Sequence, residues 1–123
     1  MAELYLNDNQ LVKLPQLFIP KLKKLDVSYN SLSSIDDFVK SQLHHLVELY
    51  LNDNKFKRIP PLKYVPKLKK IDLCYNEIRK LDEFMKGDYP QLTDFYFTEN
   101  MITSVPKMNT PKIQSLHLDS NDI

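Results

Sequence analysis

The side chains suited to catalysis or metal binding are few, and their spacing does not serve either. The 123-residue chain has one cysteine, Cys74, and three histidines, His44, His45 and His117. Cys74 has no basic neighbour in its segment to stabilise a thiolate, and Asp72, two residues earlier, would raise its pKa. His44 and His45 are adjacent, so an extended chain sends their rings to opposite sides and prevents joint ligation of a metal. His117 stands alone, and no nucleophile, base and orienting group recur at a usable spacing. The single glycine, Gly87, excludes glycine-rich phosphate loops and dinucleotide fingerprints, which need several glycines close together. The chain therefore reads as a non-enzyme, with no catalytic residue, metal site or cofactor expected.

What remains is a periodic set of tyrosines and acids, whose chemistry is that of recognition. One column reads Tyr5, Asp26, Tyr50, Asp72, Tyr96, His117, and a second reads Asp8, Tyr29, Asp53, Tyr75, Glu99, Ser120. Where one has tyrosine the other has an acid, and the two swap from repeat to repeat through Glu99. A third column alternates in sign: Glu3, Lys24, Glu48, Lys70, Asp94, Ser115. A fourth reads Asn7, Ser28, Asn52, Cys74, Thr98, Asp119. Tyrosine offers large contact area at small entropic cost, plus a hydroxyl. The first, second and fourth columns hold six acids and no lysine or arginine, which leaves ten acids against seventeen bases elsewhere. The expected surface is polarised, with an acidic aromatic centre and basic flanks, and it complements a lysine- or arginine-rich partner. A plainer origin also accounts for the pattern. Opposite charges on adjacent strands stabilise a sheet by about 0.2–1 kcal/mol per pair, tyrosine favours strands, and duplication of a two-repeat unit would copy the alternation.

These columns hang on a repeating frame. Asparagines recur at Asn9, Asn30, Asn54, Asn76, Asn100 and Asn121, at intervals of 21, 24, 22, 24 and 21. Each follows the same apolar spacing, as in Leu46-x-x-Leu49-x-Leu51-x-x-Asn54-x-Phe56 and Leu68-x-x-Ile71-x-Leu73-x-x-Asn76-x-Ile78. The alternation around each central pair predicts a short half-buried strand. Six frames in register predict six stacked strands, a sheet about 24 Å long. No repeat can bury its apolar edge without its neighbours.

The pattern LxxLxLxxNxL resembles the leucine-rich repeat family over essentially the whole chain. The resemblance implies an α/β solenoid with a parallel concave sheet and an irregular, polyproline or short-helix convex side. It also implies a buried asparagine in each turn that bonds backbone groups of its own turn and the next, satisfying polar groups the turns leave unpaired. The usual binding face of that family is the concave one. On it the partner-binding candidates are Tyr5, Asp8, Asp26, Tyr29, Tyr50, Asp53, Asp72, Tyr75, Tyr96, Glu99 and His117.

Short and long repeats alternate. The short ones carry proline, at Pro15 and Pro20, at Pro60, Pro61 and Pro66, and at Pro106 and Pro111. Proline fixes φ and removes a donor, so their convex sides are expected to be extended or polyproline-like. The long ones carry Ile35-Asp36-Asp37-Phe38-Val39 and Leu81-Asp82-Glu83-Phe84-Met85. Leading acids and apolar spacing predict one or two helical turns in each, with Gly87 ending the second. The alternation looks like that of small leucine-rich proteoglycans and Toll-like receptors, without their cysteine-bonded caps. The frame after Asn54 is similar to the 22-residue intracellular type, as in leucine-rich regulatory subunits of protein phosphatase 1.

Residues 1–123 are expected to form one domain of about five and a half repeats, uncapped or truncated at both ends. Open strand edges there would permit end-to-end homo-oligomers. A formal charge of +1 does not favour nucleic acid. No apolar run approaches the ~18 residues needed to span a bilayer, and no secretory signal or Asn-x-Ser/Thr triplet is present. With one cysteine, these features favour a cytoplasmic or other intracellular site, with an extracellular one left open. The leading reading is a non-catalytic scaffold that binds a protein partner on the concave face. Two alternatives stand beside it. One is an anionic-polymer binder, for RNA or sulfated glycan, using Lys21, Lys23, Lys24, Lys55, Lys57, Arg58, Lys67, Lys69 and Lys70. The other is a substrate-recognition fragment of a larger enzyme or pathogen effector.

Overall fold

The computed structural model describes residues 2–15, 17–81, 89, 91–107 and 110–123. Each apolar-polar-apolar triplet of the frame forms a three-residue strand: β1 (Glu3–Tyr5), β2 (Lys24–Asp26), β3 (Glu48–Tyr50), β4 (Lys70–Asp72), β5 (Asp94–Tyr96) and β6 (Ser115–His117). They pair in parallel and in sequence order as one six-stranded sheet. The register is that of the repeat. Leu4, Leu25, Leu49, Ile71, Phe95 and Leu116 stand opposite one another across the sheet.

Those central residues and the ones two positions later point into a single core. Leu25, Leu49, Ile71, Phe95, Val27, Leu51, Leu73 and Phe97 have no exposed surface. Phe95 and Phe97 pack with ring centroids 3.9 Å apart. Burial fades toward β1 and β6, where Leu4 and Leu6 are half-buried and Leu116 is 39% exposed. Each repeat covers its neighbours, so the inner ones are the best buried.

Stacked asparagines tie the turns together. The Asn54 amide donates to the carbonyls of Leu51 and Val27 at 3.1 and 3.0 Å, and its Oδ1 accepts the Leu32 N–H at 3.0 Å. Asn76 repeats the pattern with Leu73, Leu51 and Phe56, and Asn100 with Phe97, Leu73 and Ile78. The partner beyond each asparagine's own turn therefore lies in the preceding repeat, not the next one. Asn54, Asn76 and Asn100 are buried, Asn30 and Asn121 half-buried, and Asn9 exposed. Among the described residues no buried side-chain nitrogen or oxygen lacks a partner.

The convex side is irregular apart from two short elements. Helix α1 (Asp36–Gln42) occupies the first long repeat, as its spacing predicts. Ile35, Val39 and Leu43 lie four residues apart and form its buried stripe. Asp36 and Asp37 stand in its first turn, at the positive end of the helix dipole. In the second short repeat, Leu62–Tyr64 closes into a 3₁₀ turn where extended chain was expected. Pro61, with φ −72°, presets the entry to that turn, and buried Leu62 anchors it. Residues 103–107 carry no regular element. The second long repeat's expected helix, from Asp82 through Met85, and Gly87 lie outside the described residues. Strands repeat at ~4.8 Å whereas a helix occupies ~10 Å, so the sheet takes the inner, concave side of the coil.

Candidate functional site

Because alternate strand residues face opposite ways, the residues flanking each buried central position share the outer face of the sheet. There the strand register aligns Tyr5, Asp26, Tyr50, Asp72, Tyr96 and His117 in one row, and Glu3, Lys24, Glu48, Lys70, Asp94 and Ser115 in another. The remaining candidates form a third row just beyond the strands. The backbone ladder continues through it. Asp8, Tyr29, Asp53 and Tyr75 donate N–H bonds to the carbonyls of Ser28, Asn52, Cys74 and Thr98 at 2.9–3.0 Å.

The first row is engaged with the protein's own lysines. Lys24 Nζ lies 5.2 Å from the Tyr5 ring centroid and 5.3 Å from that of Tyr50. Lys70 Nζ lies 5.2 Å from Tyr50 and 5.4 Å from Tyr96. Each ammonium thus sits between two tyrosines that are two strands apart, within cation–π range. His117 meets Tyr96 edge-on, with centroids 4.6 Å apart and planes at 89°. The Tyr50 hydroxyl donates to Glu48 Oε1 at 2.7 Å. Burial, then that bond, push the Tyr50 phenol well above its ordinary pKa. The Tyr5 hydroxyl beside it raises the Lys24 pKa, partly opposed by desolvation. Tyr50 and Tyr96 are half-buried, whereas Tyr5 is exposed.

The acids of this row have a local task. Asp26 Oδ1 accepts the Ser28 N–H at 3.0 Å and its hydroxyl at 2.6 Å, and Asp72 Oδ1 accepts the Cys74 N–H at 3.0 Å. These two-residue bonds hold the chain as it leaves the strand. In the intervening repeats the turn carries Asn7 and Asn52, whose amides bond Asp8 and Asp53 at 2.6 and 2.9 Å. Through the first four repeats the tyrosine–acid alternation therefore coincides with two alternating turn devices, whereas in the fifth Thr98 Oγ1 donates to Asp119 Oδ1 at 2.8 Å. Cys74 is half-buried; burial first, then the Asp72 carboxylate, push its thiol up to about 12. That is the reverse of an activated nucleophile.

The third row is built differently. Asp8, Tyr29, Asp53, Tyr75, Glu99 and Ser120 all adopt φ between 55° and 59°. Asp and Asn tolerate this left-handed region, while a bulky residue there is strained. Yet Tyr29 and Tyr75 occupy it with 54% and 55% of their surface exposed. Among the described residues no lysine or arginine lies over either ring, and the ion pair found is Arg58–Asp36, on the other side of the coil, at 2.9 Å. Asp53 first, then burial and Asp8, raise the Tyr29 pKa. Among the described residues this edge is thus acidic and aromatic without internal counter-ions.

Five of the lysines form two groups, one among the tyrosines and one at the opposite edge. Lys24 and Lys70 stand among the tyrosines, a placement that counting them with the basic flanks overlooks; their alternation with Glu3, Glu48 and Asp94 was the available signal. Lys23, Lys67 and Lys69 join His45 around an open cleft of about 480 Å³ at the opposite edge, entered before the strands. Lys67 Nζ approaches His45 Nδ1 to 3.3 Å. Among the described residues no group of three or more His, Cys, Asp or Glu could hold a metal ion, and no helix is long and apolar enough to cross a membrane.

Parallel three-residue strands, an internal asparagine ladder and a side-chain array on the sheet's open face define a repeat solenoid of the recognition class. The leucine-rich repeat family model matches residues 20–62 and 66–123, and a two-copy leucine-rich repeat model matches residues 44–84. The chain belongs to the leucine-rich repeat family, whose domains generally mediate protein–protein interaction and are typically binding scaffolds without catalysis. Among curated proteins, epiphycan from Mus musculus is 46% identical over 41 residues, a match covering 33% of this chain and 13% of epiphycan. The chain thus matches only a small part of that relative's length. No solved structure matches it.

Proposed function

We propose that the chain is a non-catalytic recognition module that binds a protein partner with a basic surface on its concave face, centred on the row of Asp8, Tyr29, Asp53, Tyr75 and Glu99. The observation that carries this reading is the composition of that row. It holds three carboxylates and two tyrosines more than half exposed, with no ion pair to the carboxylates among the described residues. Rigid tyrosines beside unneutralised acids suit lysine- and arginine-bearing surfaces, with gains in both contact and association rate. Tyr5, Tyr50, Tyr96 and His117 border the row, and Asp26 and Asp72 add negative charge while holding the turns. The lone cysteine and the lack of Asn-x-Ser/Thr triplets support an intracellular setting.

The test is affinity capture from the source organism's extract at low and moderate salt, with wild type and an Asp8→Asn/Asp53→Asn/Glu99→Gln variant side by side. Asparagine suits the left-handed backbone, so the variant keeps its fold. A protein partner retained by wild type and lost by the variant supports the reading. Equal retention by both refutes it.

A second reading rests on the cleft of Lys23, His45, Lys67 and Lys69, which has no acid in its lining among the described residues. It would accept an anionic polymer such as RNA or a sulfated glycan. Its signatures are steep salt dependence and loss on Lys23→Glu/Lys69→Glu.

A further inference from the structure

The first row shows what two tyrosines at this spacing do with a cation. Tyr5 and Tyr50 stand on strands either side of β2, about 10 Å apart by strand spacing. The Lys24 ammonium between them is 5.2 and 5.3 Å from the two ring centroids. Tyr50 and Tyr96 hold Lys70 the same way, at 5.2 and 5.4 Å.

Tyr29 and Tyr75 repeat that spacing one row over. They too are two repeats apart, in equivalent backbone bonds and with φ of 55° and 57°. Asp53 stands between them as Asp26 stands between Tyr5 and Tyr50, and its Oδ2 is held by the Asn52 amide at 2.9 Å. The difference lies in the cation. The first row receives Lys24 and Lys70 from the row beside it, whereas among the described residues no lysine or arginine lies over Tyr29 or Tyr75. Both rings are more than half exposed, and the backbone that presents them is of a kind bulky residues avoid. An asparagine would fit that backbone with less strain, so the turn itself does not account for tyrosine at these two positions.

We propose that Tyr29 and Tyr75 close on the side-chain ammonium or guanidinium of an extended lysine- or arginine-bearing segment of a partner protein, with the Asp53 carboxylate as its counter-ion. This rests on the concave-face reading above and names the contact within it. The occupant is fixed by charge complementarity: the row carries Asp8, Asp53 and Glu99 and no base.

The test uses the full chain and a capped nonapeptide of alternating lysine and serine, with the dissociation constant read by NMR titration at low salt. Wild type should bind it saturably. Tyr29→Phe/Tyr75→Phe, which keeps both ring faces, should bind within about twofold of wild type, and Tyr29→Asn/Tyr75→Asn should bind about tenfold more weakly. The same peptide with every lysine acetylated should not bind. Equal binding by the asparagine variant, equal binding of the acetylated peptide, or no saturable binding by wild type would each overturn the proposal. The two readings fail separately. A partner lost on neutralising the acids, together with tyrosine-independent peptide binding, removes the sandwich and leaves the concave-face reading intact. Acid-independent capture removes the wider reading.

Discussion

Lys70 Nζ lies 5.2 Å from the ring centroid of Tyr50, and the same ammonium lies 5.4 Å from Tyr96. With Lys24 between Tyr5 and Tyr50, this builds a chain of alternating rings and cations across five strands. The concave face is therefore divided into an internally satisfied strip along the strands and an acidic aromatic strip along the turns. Replacing Lys70 by methionine keeps the apolar stem and removes the charge. Lys70→Met is expected to cost about 0.5–1 kcal/mol per ring contact, read from the urea midpoint, and to change the tyrosine near-UV circular dichroism. An unchanged midpoint and spectrum would show that the stacking contributes nothing.

The asparagine ladder supplies a graded prediction. Asn54 is 8% exposed and joins two repeats through four bonds, whereas Asn9 is exposed and bonds carbonyls of its own turn, Leu6 and Asn7. Asn54→Ala is expected to lower stability by about 1–3 kcal/mol, since the backbone groups it served are left buried and unpaired. Asn9→Ala should cost less than about 1 kcal/mol. Denaturant titrations at equal m-value compare the two directly; equal losses would contradict the ladder's dependence on burial.

Much of this was legible in the sequence, for physical reasons. The period of Asn9 through Asn121 gave strand number, order and register, because a side-chain alternation of two and a fixed repeat leave little freedom. The rows containing Tyr5 and Asp8 followed directly. What periodicity could not show was where a long flexible head group settles. Lys24 was visible as a position, but its ammonium's seat between two rings depends on the reach of its stem. The left-handed turns were also hidden. Glycine and asparagine are the usual signals for positive φ, and here tyrosine, aspartate, glutamate and serine take that place. The 3₁₀ turn at Leu62–Tyr64 escaped because Pro60-Pro61 reads equally as extended chain or as a turn entry.

Strain at the turn row is open to measurement. Tyr29→Asn and Tyr75→Asn exchange a bulky residue for one that tolerates φ near 55°. Each should raise stability by about 1 kcal/mol while weakening binding. A variant that loses stability would show that the tyrosine packs where it stands, and that its choice is structural.

Alkaline pH should destabilise the fold. Tyr50 and Cys74 have raised pKa values in the folded state, against ordinary values of 10.0 and 9.0. As pH rises past 9 the unfolded chain ionises first, so it binds fewer protons than the folded one and stability falls. For Cys74 the loss should run from about 9 to about 12. Across that window the wild-type melting temperature should fall relative to that of Cys74→Ser, whose hydroxyl does not ionise. Thiol alkylation at pH 8 should be slow in the native protein and fast in guanidinium, and slow alkylation in both would contradict the burial-driven shift.

The most direct test of the binding face is a two-dimensional amide NMR spectrum of the full chain, titrated with the alternating lysine–serine peptide. The account expects shift changes concentrated at Asp8, Tyr29, Asp53, Tyr75 and Glu99, fading as salt is raised. Changes confined to Lys23, His45, Lys67 and Lys69, or spread evenly over the surface, would contradict it.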